Sequence, residues 1–227
     1  PVTVEEIITA TRAVVHSTEY ALVVADLPFG SYEASPAQAF ATATRMFKEG
    51  GCQAVKFEGG KRVVPQVKLL TDAGIPVVGH LGFTPQSENM LGGKRVQGRG
   101  DEAAELLCED ALALQEAGAV AVVLEMVPAP VAARATEILR IPTIGIGAGS
   151  EVDGQVLVYH DLLGLEDRTP AKFVRRYADL RTASIEAMAA FVSDVRDRSF
   201  PDDSESYHLD ATESEALSLY GSPLERD

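Results

Sequence analysis

Five residues stand where chemistry is easiest to arrange. Asp26, Lys56, Glu58, His80 and Glu125 each fall at or near the end of a short apolar run. Asp26 follows Leu22-Val23-Val24-Ala25 and precedes Leu27-Pro28. A carboxylate in that setting needs a partner, because an isolated buried charge is costly. It reads either as a loop cap or as an oxygen ligand for a hard divalent cation. Lys56 and Glu58 are two apart, so on a strand they project to one face. They read as a structural ion pair, or as a pair with Glu58 near a metal and Lys56 on a substrate's carboxylate or keto oxygen. His80 ends Val77-Val78-Gly79 and is either a structural or an active-site histidine. Glu125 ends Val122-Val123-Leu124. Desolvation there should raise its pKa and suit it to general base work; otherwise it is a satisfied buried acid.

Two loops add to this set. Residues 82–100 form a long, Gly-rich stretch after the run that ends at His80, as a lid or binding loop would. Gly145-Ile146-Gly147-Ala148-Gly149 could present backbone N–H groups to an anion. It is no dinucleotide fingerprint, since its third Gly comes too early.

The elements that must position these residues alternate regularly. Apolar runs at 21–26, 54–58, 76–81, 120–127, 142–146 and 155–160 lack polar alternation, as strands buried on both faces do. Helical patterns at 4–15, 36–50, 63–73, 101–117, 130–139 and 171–198 lie between and around them. Thr3 with Glu6 predicts a capping box, and Ser35-Pro36 a helix start. Thr169 and Pro170 are read as the start of the last long helix. Strand–helix alternation implies a parallel α/β sheet. Polar residues at nearly every strand end favour an eight-stranded barrel over an open sheet, whose function gathers at one switch point. Only six strands are legible, so the first two are expected to lie before Pro1. The catalytic domain is expected over 1–200. Residues 201–227 read as an acidic, mostly disordered tail in which 213–219 could form a short helix.

Composition narrows the rest. The chain has 227 residues and a net charge of −14, which argues against nucleic acid and anionic membranes. No apolar run is long enough to span a membrane, and no secretory signal is expected. Cys52 and Cys108 are too few for a disulfide framework, so a reducing cytoplasm fits. The acidity suits any soluble acidic protein; with so few lysines it also suits a halophile.

The ordered motifs resemble the ketopantoate hydroxymethyltransferase family. They are Ala25-Asp26-Leu27-Pro28-Phe29, Val55-Lys56-Phe57-Glu58-Gly59-Gly60, the stretch from Gly79-His80 to Thr84-Pro85-Gln86-Ser87, Val96-Gln97-Gly98-Arg99-Gly100-Asp101-Glu102-Ala103, Leu124-Glu125-Met126-Val127-Pro128, Ile144-Gly145-Ile146-Gly147-Ala148-Gly149 and Asp153-Gly154-Gln155-Val156-Leu157-Val158-Tyr159-His160-Asp161. The resemblance implies a Mg²⁺-dependent (β/α)8 TIM barrel of the phosphoenolpyruvate/pyruvate superfamily. The family moves a one-carbon unit from 5,10-methylenetetrahydrofolate, or a related pterin, to 3-methyl-2-oxobutanoate. The product is 2-dehydropantoate, for pantothenate and coenzyme A. By position, Asp26 and Glu58 match metal-site acids, Asp26 and Lys56 substrate-binding residues, Glu125 the proton acceptor, and His80 an active-site histidine. A homo-oligomer, a decamer in the family, is also implied. The family's Gly-Asp-Ser motif does not occur in this sequence, and is expected upstream of Pro1. Two alternatives stand beside this reading: a lyase or mutase of the same superfamily, and a truncated, inactive barrel fragment.

Overall fold

The computed structural model describes residues 2–218. Pro1 and residues 219–227 lie outside them, and so do the expectations placed on the start of the chain and on Leu219. The chain divides into two compact units, residues 1–158 with 170–174, and residues 159–169 with 175–227. The family-type motifs fall almost wholly in the first.

That first unit is a single parallel sheet with helices between its strands. In chain order it runs α1 (Val4–His16), β1 (Val24–Asp26), α2 (Pro36–Arg45), β2 (Ala54–Glu58), α3 (Val64–Asp72), β3 (Val77–Gly82), α4 (Glu88–Leu91), α5 (Asp101–Glu116), β4 (Ala121–Glu125), α6 (Ala129–Ile138), β5 (Thr143–Ile146) and β6 (Gly154–Gln155). The second unit holds α7 (Tyr159–Leu163), α8 (Leu180–Asp197) and α9 (Ala211–Ser218). The local signals explain the starts. Thr3 and Glu6 form the capping box on α1, and the Ser35 hydroxyl accepts from Gln38 N at the start of α2. α2 extends through a π turn at Met46–Gly50, so the expected segment 36–50 is one continuous helical stretch.

The strand order is β1-β2-β3-β4-β5-β6, every neighbouring pair parallel. A doubly wound sheet reverses order at a switch point; this one never does. Right-handed crossovers wound in one direction place the helices on a single face. Alternate residues accordingly separate into two layers. On the helix face Ala25, Val55, Phe57, Val77, Val122 and Leu124 are buried in the main core with Ala39, Leu70 and Leu114. On the other face Val78, Ala121, Val123 and Ile146 form a second cluster, with Ile144, Leu157 and Phe173 against it. The architecture is a six-stranded parallel α/β half-barrel. Closing it into eight strands takes two more between β6 and β1, and none stands there among the described residues.

Three elements differ from the sequence reading. The last strand, expected over 155–160, pairs only at Gly154–Gln155, with one further bond from Val156 N to Gly145 O. Among the described residues it has a neighbour on one side only, so no second ladder extends it; Val156 and Val158 are nearly half exposed, and Tyr159 already belongs to α7. β1, at the opposite edge, is likewise three residues instead of six. The helix expected over 171–198 begins at Leu180, where the Asp179 carboxylate accepts from Thr182 N. Residues 171–174 form a turn instead, closed by Val174 N to Ala171 O. Phe173 packs its ring against Gly147, where a Cβ would come within 2.7 Å. That apolar anchor takes the segment out of the helix. In the C-terminal segment α9 matches the helix expected near 213, and a 3-10 turn covers Asp203–Glu205.

One glycine fixes how closely β3 and β4 approach at the strand ends. Gly82 has φ +88°, and a Cβ there would lie 2.2 Å from Glu125 O and 2.7 Å from Val127 Cγ2. The positive φ alone strains any other residue, and the clash is with backbone, which yields poorly. Gly82→Ala should therefore destabilise the fold by about 2 kcal/mol or more in urea unfolding. A change within about 0.5 kcal/mol, the range of ordinary surface substitutions, would contradict this packing.

Candidate active site

Period two sends residues 26, 56, 58, 80 and 125 to the inner face of the sheet, near the C-terminal ends of β1 to β4. Asp26 pairs in register with Lys56, Glu58 with His80, and Gly82 with Glu125. All five line one cavity of about 500 Å³. Its mouth is polar. Its floor is apolar, from Val24, Val78, Val123, Ile144 and Ile146. The structure thus gathers every site residue expected from the sequence.

Their pairings are more specific than the sequence suggested. Lys56 and Glu58 share a face, yet the partner of Lys56 is Asp26, with Nζ to Oδ1 at 2.7 Å. Half of the Asp26 side chain is exposed, so this pair can open to a ligand. Glu58 is 2 % exposed and accepts from Gln86 N through Oε2 at 3.0 Å. Burial pushes its pKa up to about 7; the Gln86 N–H and Lys56 pull it down, and Asp26 and Glu125 push it further up. The desolvation argument made for Glu125 thus applies to Glu58, the glutamate the fold buries deepest.

His80, 4 % exposed, sits between two carboxylates. Nε2 lies 3.2 Å from Glu125 Oε2 and Nδ1 3.8 Å from Glu58 Oε1. Neither contact has hydrogen-bond geometry, so both ring nitrogens are buried without a bonded partner. Such a group costs about 1–3 kcal/mol, and a side chain kept so is one whose role needs explaining.

Glu125 is held by its backbone. Phe83 N donates to Glu125 O at 2.7 Å, and Met126 N to Ile146 O at 2.9 Å. Met126 itself has φ +50°, a left-handed conformation that a non-glycine residue adopts at a cost of about 1–2 kcal/mol. Strain beside a partly buried acid is characteristic of sites whose geometry is over-determined by their surroundings.

Two residues of the site escaped the sequence reading. Tyr32 is 1 % exposed, and burial pushes its phenol well above its ordinary pKa, so the hydroxyl stays protonated. It donates to Gln86 Oε1 at 2.7 Å, across 54 positions of sequence. Nothing in the spacing announces that contact. Gln86 was visible only as one letter of a loop motif. The Gly145–Gly149 loop, by contrast, is knitted by structural contacts: the Gln155 amide donates to Gly149 O, and the Asp153 carboxylate accepts from Thr143 N.

Asp26 and Glu58 offer hard oxygen donors. Among the described residues no group of three His, Cys, Asp or Glu side chains is arranged to hold a metal ion. Two carboxylates nevertheless suit Mg²⁺, which is bound through one or two acids and completes its shell with water and substrate.

A family model for ketopantoate hydroxymethyltransferase matches residues 1–203. The chain belongs to the ketopantoate hydroxymethyltransferase family. It is an enzyme of that family. It is 58 % identical over 206 residues to the 3-methyl-2-oxobutanoate hydroxymethyltransferase of Acidothermus cellulolyticus, covering 91 % of this chain and 76 % of the relative. To the protein of the same name from Frankia alni it is 59 % identical over 207 residues, covering 91 % and 68 %. Among solved structures, 2,3-dimethylmalate lyase of the PEP mutase/isocitrate lyase superfamily aligns with a TM-score of 0.50 at 13 % identity, over 98 % of this chain and 79 % of that one. That likeness concerns the fold alone. No helix among the described residues is long and apolar enough to cross a membrane.

The raised pKa of Glu58 gives a signed prediction. Its folded pKa of about 7 lies above the ordinary 4.5, so the folded protein holds a proton that the unfolded chain releases between those values. The stability this provides is complete below pH 4.5 and is lost as pH rises through 7. In EDTA, wild type should therefore lose stability relative to Glu58→Gln across that window. Urea midpoints that stay parallel from pH 4.5 to 8 would show that Glu58 is not so buried.

Proposed function

We propose that the chain transfers a hydroxymethyl group from 5,10-methylenetetrahydrofolate, or a related pterin, to 3-methyl-2-oxobutanoate, yielding 2-dehydropantoate in a cytoplasmic route to pantothenate and coenzyme A. The observation that carries this reading is the single cavity joining Asp26, Lys56, Glu58, His80 and Glu125 above an apolar floor. A small branched 2-oxo acid has a polar head and an apolar tail. It matches a polar mouth and a floor of Val and Ile.

The roles follow from position and chemistry. Asp26 and Glu58 would hold Mg²⁺, which when bound polarises a keto carbonyl and acidifies the adjacent C–H. Lys56, released from Asp26, binds the carboxylate or keto oxygen of the substrate. Glu125 removes the C3 proton as general base. Water supplies the hydroxyl oxygen: its addition to the methylene carbon, with both of that carbon's bonds to pterin nitrogens breaking, releases formaldehyde; the electron pair of the C3–H bond then bonds to the formaldehyde carbon, and its oxygen takes up the proton that Glu125 holds. His80, with Nε2 3.2 Å from Glu125, lies beside the base in the cavity.

Three further points belong to the same proposal. The catalytic domain ends near residue 200, with an acidic tail beyond; the family match ending at residue 203 supports this. The working sheet is an eight-stranded barrel, supported by the unreversed strand order and by outer edges of β1 and β6 that are unpaired among the described residues. The chain works as a homo-oligomer, as the resemblance implied.

C3 proton exchange separates this reading from an inactive barrel fragment. With Mg²⁺, the chain should exchange the C3 proton of 3-methyl-2-oxobutanoate into D₂O, and Glu125→Gln should slow that exchange at least about 100-fold while Mg²⁺ binding persists. Absence of exchange by the wild-type chain would favour the inactive fragment. Unchanged exchange in Glu125→Gln would remove Glu125 from the base role.

A further inference from the structure

Gln86, in the loop after β3, makes bonds that reach two strand ends and the loop after β1. Its backbone N donates to Glu58 Oε2 at 3.0 Å, at the end of β2. Its side-chain Nε2 donates to Leu27 O at 2.8 Å, one residue past β1. Its Oε1 accepts from Tyr32 OH at 2.7 Å. The same Tyr32 oxygen accepts from Glu58 N at 3.3 Å. Glu58 is therefore held twice, at its main chain by Tyr32 and at its carboxylate by Gln86, and the two holders are bonded to each other.

Tyr32 is itself immobilised. Its ring lies 5.0 Å from that of Phe57, and its carbonyl accepts from the buried Gln66 amide at 3.3 Å. The loop that carries Gln86 is otherwise a 3-10 turn with no side-chain cap. Beyond the turn bond from Ser87 N to Thr84 O and the Arg62 bond to Ser87 Oγ, the Gln86 side chain fixes where its N–H points. The N–H engages one Glu58 oxygen, Oε2, and the other faces the His80 ring. The arrangement selects the face a carboxylate shows to a cation, which is how outer partners tune a metal ligand.

We propose that Gln86, braced by Tyr32, is a positioning residue that fixes the Glu58 carboxylate for a divalent cation. This rests on the metal reading of Asp26 and Glu58 above. A loop bond with a purely structural role would change stability and leave cation affinity alone. Outer partners that orient a ligand instead change affinity by about 10- to 100-fold.

The test is Mn²⁺ binding, followed by electron paramagnetic resonance of the free ion, for the full chain without substrate. Gln86→Ala should weaken Mn²⁺ binding by about 10-fold or more. Tyr32→Phe, which keeps the ring packing, should weaken it in the same direction by less. If the two act as one unit, the double variant should bind no more weakly than Gln86→Ala. Affinities within about two-fold of wild type in both single variants, with thermal unfolding showing them folded, would overturn the positioning role. A wild-type chain that binds no Mn²⁺ would overturn the metal reading itself, and this proposal with it.

Discussion

The alternation of side chains along a β-strand is the constraint on which this protein depends. In a parallel sheet wound in one direction, one face must be covered by helices and the other must face inward. Val55 and Phe57 go to the helices, which leaves Lys56 and Glu58 for the inner face. The same parity places Val77, Gly79 and Leu81 outward, and Val78 and His80 inward. A one-residue slip of β2 would bury two charges among the helices and expose the core residues to the cavity. Function and folding are thus enforced by one register. The inward charges are tolerable only at the strand ends, where neighbouring strands and loops supply partners.

Those partners were the least legible part of the molecule. The candidate residues were readable because each is a polar letter closing an apolar run, and the run sets its face. Asp26, Lys56, Glu58, His80 and Glu125 all reach one cavity for that reason. Which group pairs with which was not readable. Lys56 finds Asp26 on the next strand and not Glu58 on its own, because strand neighbours in register approach more closely than residues two apart along a chain. Tyr32 and Gln86 were invisible for a related reason. They meet across 54 positions, and no local pattern encodes such a contact.

The fold was legible where both ladders are present and less so at the edges. β2, with neighbours on both sides, has the boundaries its apolar run predicts. β1 and β6 share the same composition of Val and Leu, yet pair over three and two residues. Hydrophobic runs report what can be buried; a strand also needs a neighbour to bond. The late start of α8 has the same character. Helical periodicity continues through residues 171–179, but Phe173 has a better partner at Gly147 than any the helix offers.

The central claim is that one inner-face cavity binds both the cation and the 2-oxo acid, with Glu125 beside the carbon that loses its proton. Crystals grown with Mn²⁺ and 3-methyl-2-oxobutanoate test it in a single anomalous difference map. The expected map has a peak bonded to Glu58 and Asp26, with the keto acid between it and Lys56 and its C3 hydrogen toward Glu125. A peak outside this cavity, or a keto acid bound with C3 turned away from Glu125, would contradict it.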